Sequence, residues 1–225
     1  MTYLIVAAHP DDEVLGAGAT IAKLIGEGHA VAVATLSWHA AARANPSLTM
    51  EEDRKNVMDI LGVQKTYEAD FPNIKMNVIP HLEIVQFIEK CLLDFQADAV
   101  ITHHPNDVNI DHQEVSKAAN AAVRLFQRAT GVPRLRLFAY MEVLSSTEWS
   151  LNTAQNRFTP NLFVEVGKDG VNKKIEALSC YKGVMRPFPH PRSEEAITGL
   201  AAYRGAQAGL DYAEAFECVF RSEIF

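Results

Sequence analysis

Little in this 225-residue sequence suits a membrane-spanning, secreted or nucleic-acid-binding protein. No apolar run approaches the roughly 20 residues needed to cross a bilayer. The N-terminus lacks a basic stretch leading into an apolar segment, so no secretory signal is expected. Positive charge is scarce: 21 Lys and Arg stand against 28 Asp and Glu, for a net charge of -7. That balance excludes the basic stripe of a nucleic-acid surface but leaves room for an anionic small molecule met by a few local arginines. Cysteine is also sparse, with Cys91, Cys180 and Cys218 far apart and in no CxxC pair. Unpaired thiols in a reducing cytoplasm are the expectation, and nothing in the sequence supports a cysteine nucleophile. There is no internal repeat and no low-complexity tract. With 48% hydrophobic residues the chain can bury a sizeable core. One domain over residues 1–225 is expected, with a regular core in 1–145 and a C-terminal strand, loop and helices in 146–225 completing it.

What the sequence does have is strand and helix signals in alternation. Apolar runs at 3–8, 30–36 and 97–104 read as strands buried on both faces. Further strands are predicted at 65–70, 135–144 and 161–166. Helices are predicted over 16–27, 50–61, 80–95, 112–128, 170–182 and 193–207, the second with a Thr49/Glu52 capping box. In the third, Leu82, Val85, Phe87, Ile88 and Leu92 share one face. "GVMRPFPHPRS" (183–193) carries three prolines and must be a loop. The pattern predicts an α/β fold, Rossmann-like, with a mostly parallel β-sheet and helices on both faces. Such sheets bind ligands beyond the carboxyl ends of their strands, near a switch in strand order.

Two polar clusters fall at such strand ends. The first is His9, Asp11, Asp12 and Glu13; the second holds His103, His104, Asp107, Asp111 and His112. Each residue alone has an ordinary explanation, the acids as first-turn or capping groups of a helix and the histidines as polar strand ends. Together, like charges crowded at two strand ends are better explained by a cation among them. Two histidines and a carboxylate leave one position open on a zinc ion, the pattern of a hydrolytic site.

The stretches "AAHPDDEVLGAGATIAKL" and "HHPNDVNIDHQEV" resemble the two signature motifs of the PIG-L/LmbE family of zinc-dependent sugar de-N-acetylases. "KIEALSCYKG" and "YRGAQAGLDYAEAF" are similar to that family's C-terminal part. The resemblance implies a Zn2+ site, or one for another divalent transition metal, with His9, Asp12 and His112 as ligands. It implies Asp11 as general base and an N-acetylated amino sugar, GlcNAc-type, as the small-molecule substrate that releases acetate. Asp111 would orient His112 or a neighbouring imidazole, or cap the helix that follows. One departure stands out: Asn109 occupies a position where many members resemble one another in carrying a histidine that stabilises the oxyanion. Asn109 then takes a weaker form of that role, or His104 or His190 reaches in.

Other expected substrate contacts are Trp38, His39 and Arg43 in the loop after the second strand. Arg54, which matches a substrate-facing arginine of the family, and Arg192, beside His190 in the proline-rich loop, join them. Gly16 and Gly18 fit close helix-sheet packing better than a dinucleotide fingerprint. Tyr203, Tyr212 and Phe216 read as core. Glu13 is expected to support the first helix. Relatives of that family commonly assemble, and the sequence leaves a homo-oligomer open; a nucleic-acid partner or membrane segment is not expected. The alternatives are a metallo-amidase acting on a non-sugar amide, and an inactive sugar- or nucleotide-binding relative. Asp11 separates the last from an enzyme, since a binding module has no use for an acid beside the ligands.

Overall fold

The computed structural model describes residues 1–38, 50–150 and 157–223. Seven strands form one sheet in the order β3-β2-β1-β4-β5-β7-β6. β1 (Thr2–Ala7) lies inside the sheet, pairing in parallel with β2 (Ala30–Thr35) and β4 (Ala99–His103). β3 (Lys65–Glu68) and β5 (Leu137–Met141) extend the parallel part on either side. β7 (Ala213–Arg221) and β6 (Leu162–Glu165) close that end with antiparallel pairs. The α/β, mostly parallel prediction therefore holds. The sequence reading lacked β7, which lies between β5 and β6.

Helices cover both faces, which is why the parallel strands read as unbroken apolar runs. On one face pack α1 (Asp12–Gly26), α2 (Met50–Leu61), α5 (Gly167–Cys180) and α6 (Glu194–Ala208), around Leu15, Ile21, Met58, Leu178 and Phe216. On the other lie α3 (His81–Phe95) and α4 (Ile110–Ala122), with Ile84, Ile88, Val115 and Phe138. Leu82 does not join this core; it is exposed, and Ile84 takes the inward position. Tyr203 is likewise exposed on α6, whereas Phe216 is fully buried, as expected. Gly16 permits the close approach of α1 to β5, since a Cβ there would lie 2.5 Å from the Met141 sulfur.

A buried ion pair stitches the C-terminal elements to α1. Lys174 Nζ on α5 donates to the Leu15 carbonyl (2.7 Å) and to Glu214 Oε1 on β7 (2.6 Å). Glu214 in turn accepts from the amides of Ala19 and Thr20, at 3.3 and 2.7 Å. Side chains from two later elements thus enter the hydrogen-bonding ladder in the middle of the first helix.

The strand order reverses between β1 and β4, so their carboxyl ends diverge and open a crevice. The register sets Val6 beside Thr102. Both polar clusters of the sequence emerge there, side by side.

Candidate active site

The helix that follows β1 begins at Asp12, four residues earlier than its sequence pattern suggests. Asp11 makes this possible. It adopts a left-handed conformation (φ 100°, ψ -28°), and its carbonyl accepts from Val14 and Leu15 at 3.1 and 2.8 Å. Asp is among the few residues that tolerate positive φ, though at some cost in strain. Glu13 steadies the turn, accepting from the Asp11 amide (3.1 Å) and from the Tyr181 hydroxyl (2.7 Å). Burial pushes the Glu13 carboxyl up to about 7. Its expected support of the helix is thus a bond to the backbone of the strained residue.

His9, Asp12 and His112 come together as the motifs suggest. Asp12 Oδ2 lies 3.2 Å from His9 Nδ1 and 3.1 Å from His112 Nε2. All three residues are buried, and their ligand-type atoms lie within 4.8 Å of one another. Each imidazole is held from behind by a second carboxylate. His9 Nε2 meets Asp111 Oδ2 at 2.9 Å, and His112 Nδ1 meets Asp107 Oδ1 at 3.2 Å. Metal-ligating histidines generally have such a partner on their other nitrogen.

Asp111 therefore orients the neighbouring imidazole, His9, and not His112. Its carboxylate also accepts from the amides of Ile74 and Met76, at 2.5 and 2.9 Å, fixing the loop on that side. The helix N-cap is Asn109, whose Oδ1 accepts from the Asp111 amide at 2.9 Å; Asp111 itself sits in the first turn of α4. Asp107 had no assigned role in the sequence. It accepts from Thr147 Oγ1 (2.9 Å) and from Ser146 Oγ, both in the loop after β5.

The electrostatics follow from this alternation of acids and imidazoles. Burial works against a charged His112, but Asp12 and Asp107 on either side push it up to about 10. Burial likewise opposes the charge on His9, and the bonds to Asp111 and Asp12 hold it above the usual histidine value. Asp12 is held well below the usual carboxylate range: its imidazole neighbours, His112 foremost, outweigh its burial. His103 stacks on His112 at 3.8 Å and accepts from the Ala8 amide at 2.8 Å. Burial, reinforced by His112, lowers it to about 3, so it is a neutral packing partner.

The donor set fits a divalent transition metal. One carboxylate oxygen and two imidazole nitrogens converge, and His112 Nε2 is buried facing Asp12 Oδ2, another donor atom of the set. Above them opens a cavity of about 520 Å³, lined by His9, Asp11, Asp12, Asn109, His112 and Arg192 among others. Arg192 Nη1 contacts Asp11 Oδ2 at 3.1 Å, and its Nε donates to Ser145 Oγ at 2.6 Å.

Several expected substrate contacts lie elsewhere. His104, just past the end of β4, is buried 3.5 Å from Glu217 and edge-on to Tyr140 and Phe158, and it does not line the cavity. Arg54 is buried under the Trp38 ring (4.5 Å to its centroid) and pairs with Glu68 at 3.0 Å; neither Arg54 nor Trp38 lines the cavity. His190 stands behind Trp149, rings 5.8 Å apart, so Trp149 and not His190 faces the opening. His39, Arg43 and the Thr49 cap lie outside the described residues. The sequence reading missed Asp107 as a partner of His112, and also Ser145, Ser146, Thr147 and Trp149. The signal was present: "SSTEW" follows β5, a parallel strand next to β4, so the strand-end rule already directed it to this crevice.

Comparison with known proteins agrees with this geometry. Residues 4–123, more than half of the chain, match the PIG-L family, described as GlcNAc-PI de-N-acetylase. A curated relative, the uncharacterized deacetylase YaiS of Escherichia coli (strain K12), is 23% identical over 184 residues, covering 80% of this chain and 89% of its own. The fold is similar to that of the conserved protein TT1542 from Thermus thermophilus, with TM-score 0.80, 22% identity and coverage of 100% and 97% of the two chains. It is similar also to N,N'-diacetylchitobiose deacetylase from Pyrococcus horikoshii, with TM-score 0.77, 20% identity and coverage of 97% and 83%. A third likeness is GalB, the 4-carboxy-2-hydroxymuconate hydratase from Pseudomonas putida KT2440, with TM-score 0.75, 22% identity and coverage of 100% and 99%. This chain belongs to the PIG-L family, the GlcNAc-PI de-N-acetylases.

Proposed function

We propose that this protein is a metal-dependent hydrolase, zinc its natural ion, that removes the N-acetyl group from an N-acetylated amino sugar and releases acetate. The observation that carries this reading is the convergence of His9 Nδ1, Asp12 Oδ2 and His112 Nε2, with both imidazoles held from behind by carboxylates. Zinc bound there supplies Lewis acidity, which lowers the pKa of a nearby water towards about 7 and stabilises negative charge on oxygen.

The chain's own residues supply the rest. Asp11 lines the cavity beside the ligand set and takes the proton of the attacking water. The acyl carbon becomes tetrahedral, and its oxygen gains negative charge. Asn109 lines the same wall; with its Oδ1 engaged in capping, its NH2 is the donor end for that oxygen, without the positive charge of a histidine. Arg192 holds the Asp11 carboxylate in place beside the ligand set. The proton held by Asp11 then passes to the leaving nitrogen, giving acetate and a free amine. With three cysteines and no disulfide, a reducing cytoplasm suits the enzyme. Among the described residues no helix is long and apolar enough to cross a membrane.

The test is acetate release from a panel of N-acetyl sugars, including N-acetylglucosamine glycosides, N,N'-diacetylchitobiose and sugar nucleotides. The expected enzyme holds about one ion per chain. It loses turnover on chelation, regains it with added zinc, and loses the metal in His112→Ala. Turnover that survives chelation, or substrate consumed without acetate as a hydratase would do, sinks the reading.

Asp107→Asn tests how His112 is held. Asparagine keeps one oxygen, which can accept from Ser146 or from Thr147 but not from both as the carboxylate does, and it withdraws the charge from His112 Nδ1. Metal affinity, measured by competition with a chromogenic chelator, should fall by about 10- to 100-fold. Unchanged affinity would show that Asp107 serves only the loop.

A further inference from the structure

We infer that the outer half of the cavity is a subsite for a second ring, whose apolar face stacks on the indole of Trp149. The inference rests on the deacetylase reading for the chemistry at the inner end, but its binding argument is independent. Trp149, Ile74 and Val108 are exposed at 48%, 49% and 53%, and all three line the same opening. They come from three separate loops: the one before Met76, the one before α4 and the one after β5. Large apolar groups left bare around one opening mark a ligand site more often than a plain surface.

The tryptophan is also held in place. His190 packs edge-on against its ring at an interplanar angle of 76°. The Arg192 amide donates to His190 Nδ1 at 3.0 Å, so one loop carries both the buttress and the cation beside Asp11. On its own loop, Thr147 Oγ1 bonds Asp107, which anchors the tryptophan to the partner of His112. Polarity is graded along the cavity, with ionisable groups at the inner end and bare apolar groups at the outer. An anionic aglycone would need a cation at the outer end, and Arg192 is instead engaged by Asp11 and Ser145. A cavity of about 520 Å³ lies within the roughly 300–1,000 Å³ range of sites for drug-sized ligands. It has room for more than one sugar ring. The ring it accepts has a flat, apolar face, either the C–H face of a pyranose or an aromatic aglycone.

Trp38 and Trp149 are the only tryptophans, so Trp38→Phe leaves Trp149 as sole reporter in the metal-loaded protein. Phenyl N-acetyl-β-glucosaminide and N,N'-diacetylchitobiose should each shift its fluorescence saturably, at about ten-fold lower concentration than methyl N-acetyl-β-glucosaminide, a difference of about 1.4 kcal/mol. Whichever of the two acts at the lower concentration identifies the ring as aromatic or sugar. If Trp38→Phe disturbs folding, the difference between wild type and Trp149→Phe reports the same site. In turnover, Trp149→Ala should raise KM for the two ringed substrates about ten-fold more than for the methyl glycoside, with the larger share of the loss in KM and not kcat, and be rescued by Trp149→Phe. An equal effect on all three substrates, or no fluorescence response to ringed ligands, overturns the subsite. Absence of acetate from every substrate overturns the deacetylase reading instead, and the titration still judges the subsite.

Discussion

Asp11→Asn should leave the protein folded and metal-loaded but reduce acetate release by about 10²- to 10⁴-fold, the range lost with a general base. The substitution is unusually clean because of where the residue sits. Asp11 holds positive φ at the entrance to α1, and asparagine tolerates that conformation as well as aspartate does. The amide oxygen can still accept from Arg192, and Asp11 is not one of the three groups whose atoms converge on the metal position. What changes is the ability to hold a proton. Metal content and thermal stability are measured beside kcat; equal metal with turnover within about three-fold of wild type would remove Asp11 from the base role. Asp11→Ala adds a different penalty, since alanine pays about 1–2 kcal/mol in the left-handed region. Comparing the two variants separates strain from chemistry.

Lys174→Met should destabilise the protein by about 3–5 kcal/mol, the usual cost of removing one partner of a buried ion pair. For a chain of this size that lowers Tm by roughly 10 °C. The variant leaves Glu214 buried with only the Ala19 and Thr20 amides, and it frees the Leu15 carbonyl. In an uninterrupted helix the natural donor to Leu15 is Ala19, four residues on. The double variant Lys174→Met/Glu214→Leu lets α1 close its own ladder and should recover part of the loss. Thermal melts of the three proteins check this, and a single variant within about 1 kcal/mol of wild type would show that the pair contributes little. Because α1 starts at Asp12, the same variants reveal whether the metal site depends on the far end of its helix.

The parts of this molecule that could be read from sequence are those with a local signature. β1, β2 and β4 are unbroken apolar runs because both faces are covered, and the switch between β1 and β4 then places His9, Asp12 and His112 in one crevice. β7 has no such signature. "AEAFECVFR" mixes buried Glu214 with exposed Val219 and Phe220, since Ala213–Phe216 pair with β6 and Phe216–Arg221 with β5, so only Phe216 is flanked by both strands. The partner of His112 was hidden for a related reason. Asp107 precedes His112 by five residues, but its role depends on Ser146 and Thr147, which only the β4-β5 pairing brings near. His104 misled because its neighbour His103 belongs to the site while His104 projects the other way, to Glu217. His104 is the first residue beyond β4, and the alternation of the strand carries its ring away from that of His103.

β7 is the last strand in chain order, yet it occupies an inner position, between β5 and β6. A chain growing from its N-terminus can therefore assemble the five parallel strands early, but β5 keeps an open edge until residues 213–221 have been made. During that interval the half-built sheet offers unpaired backbone to other nascent chains. His9, Asp11, Asp12 and His112 all precede residue 113, whereas Arg192 and the Glu214 clamp come with the final segment.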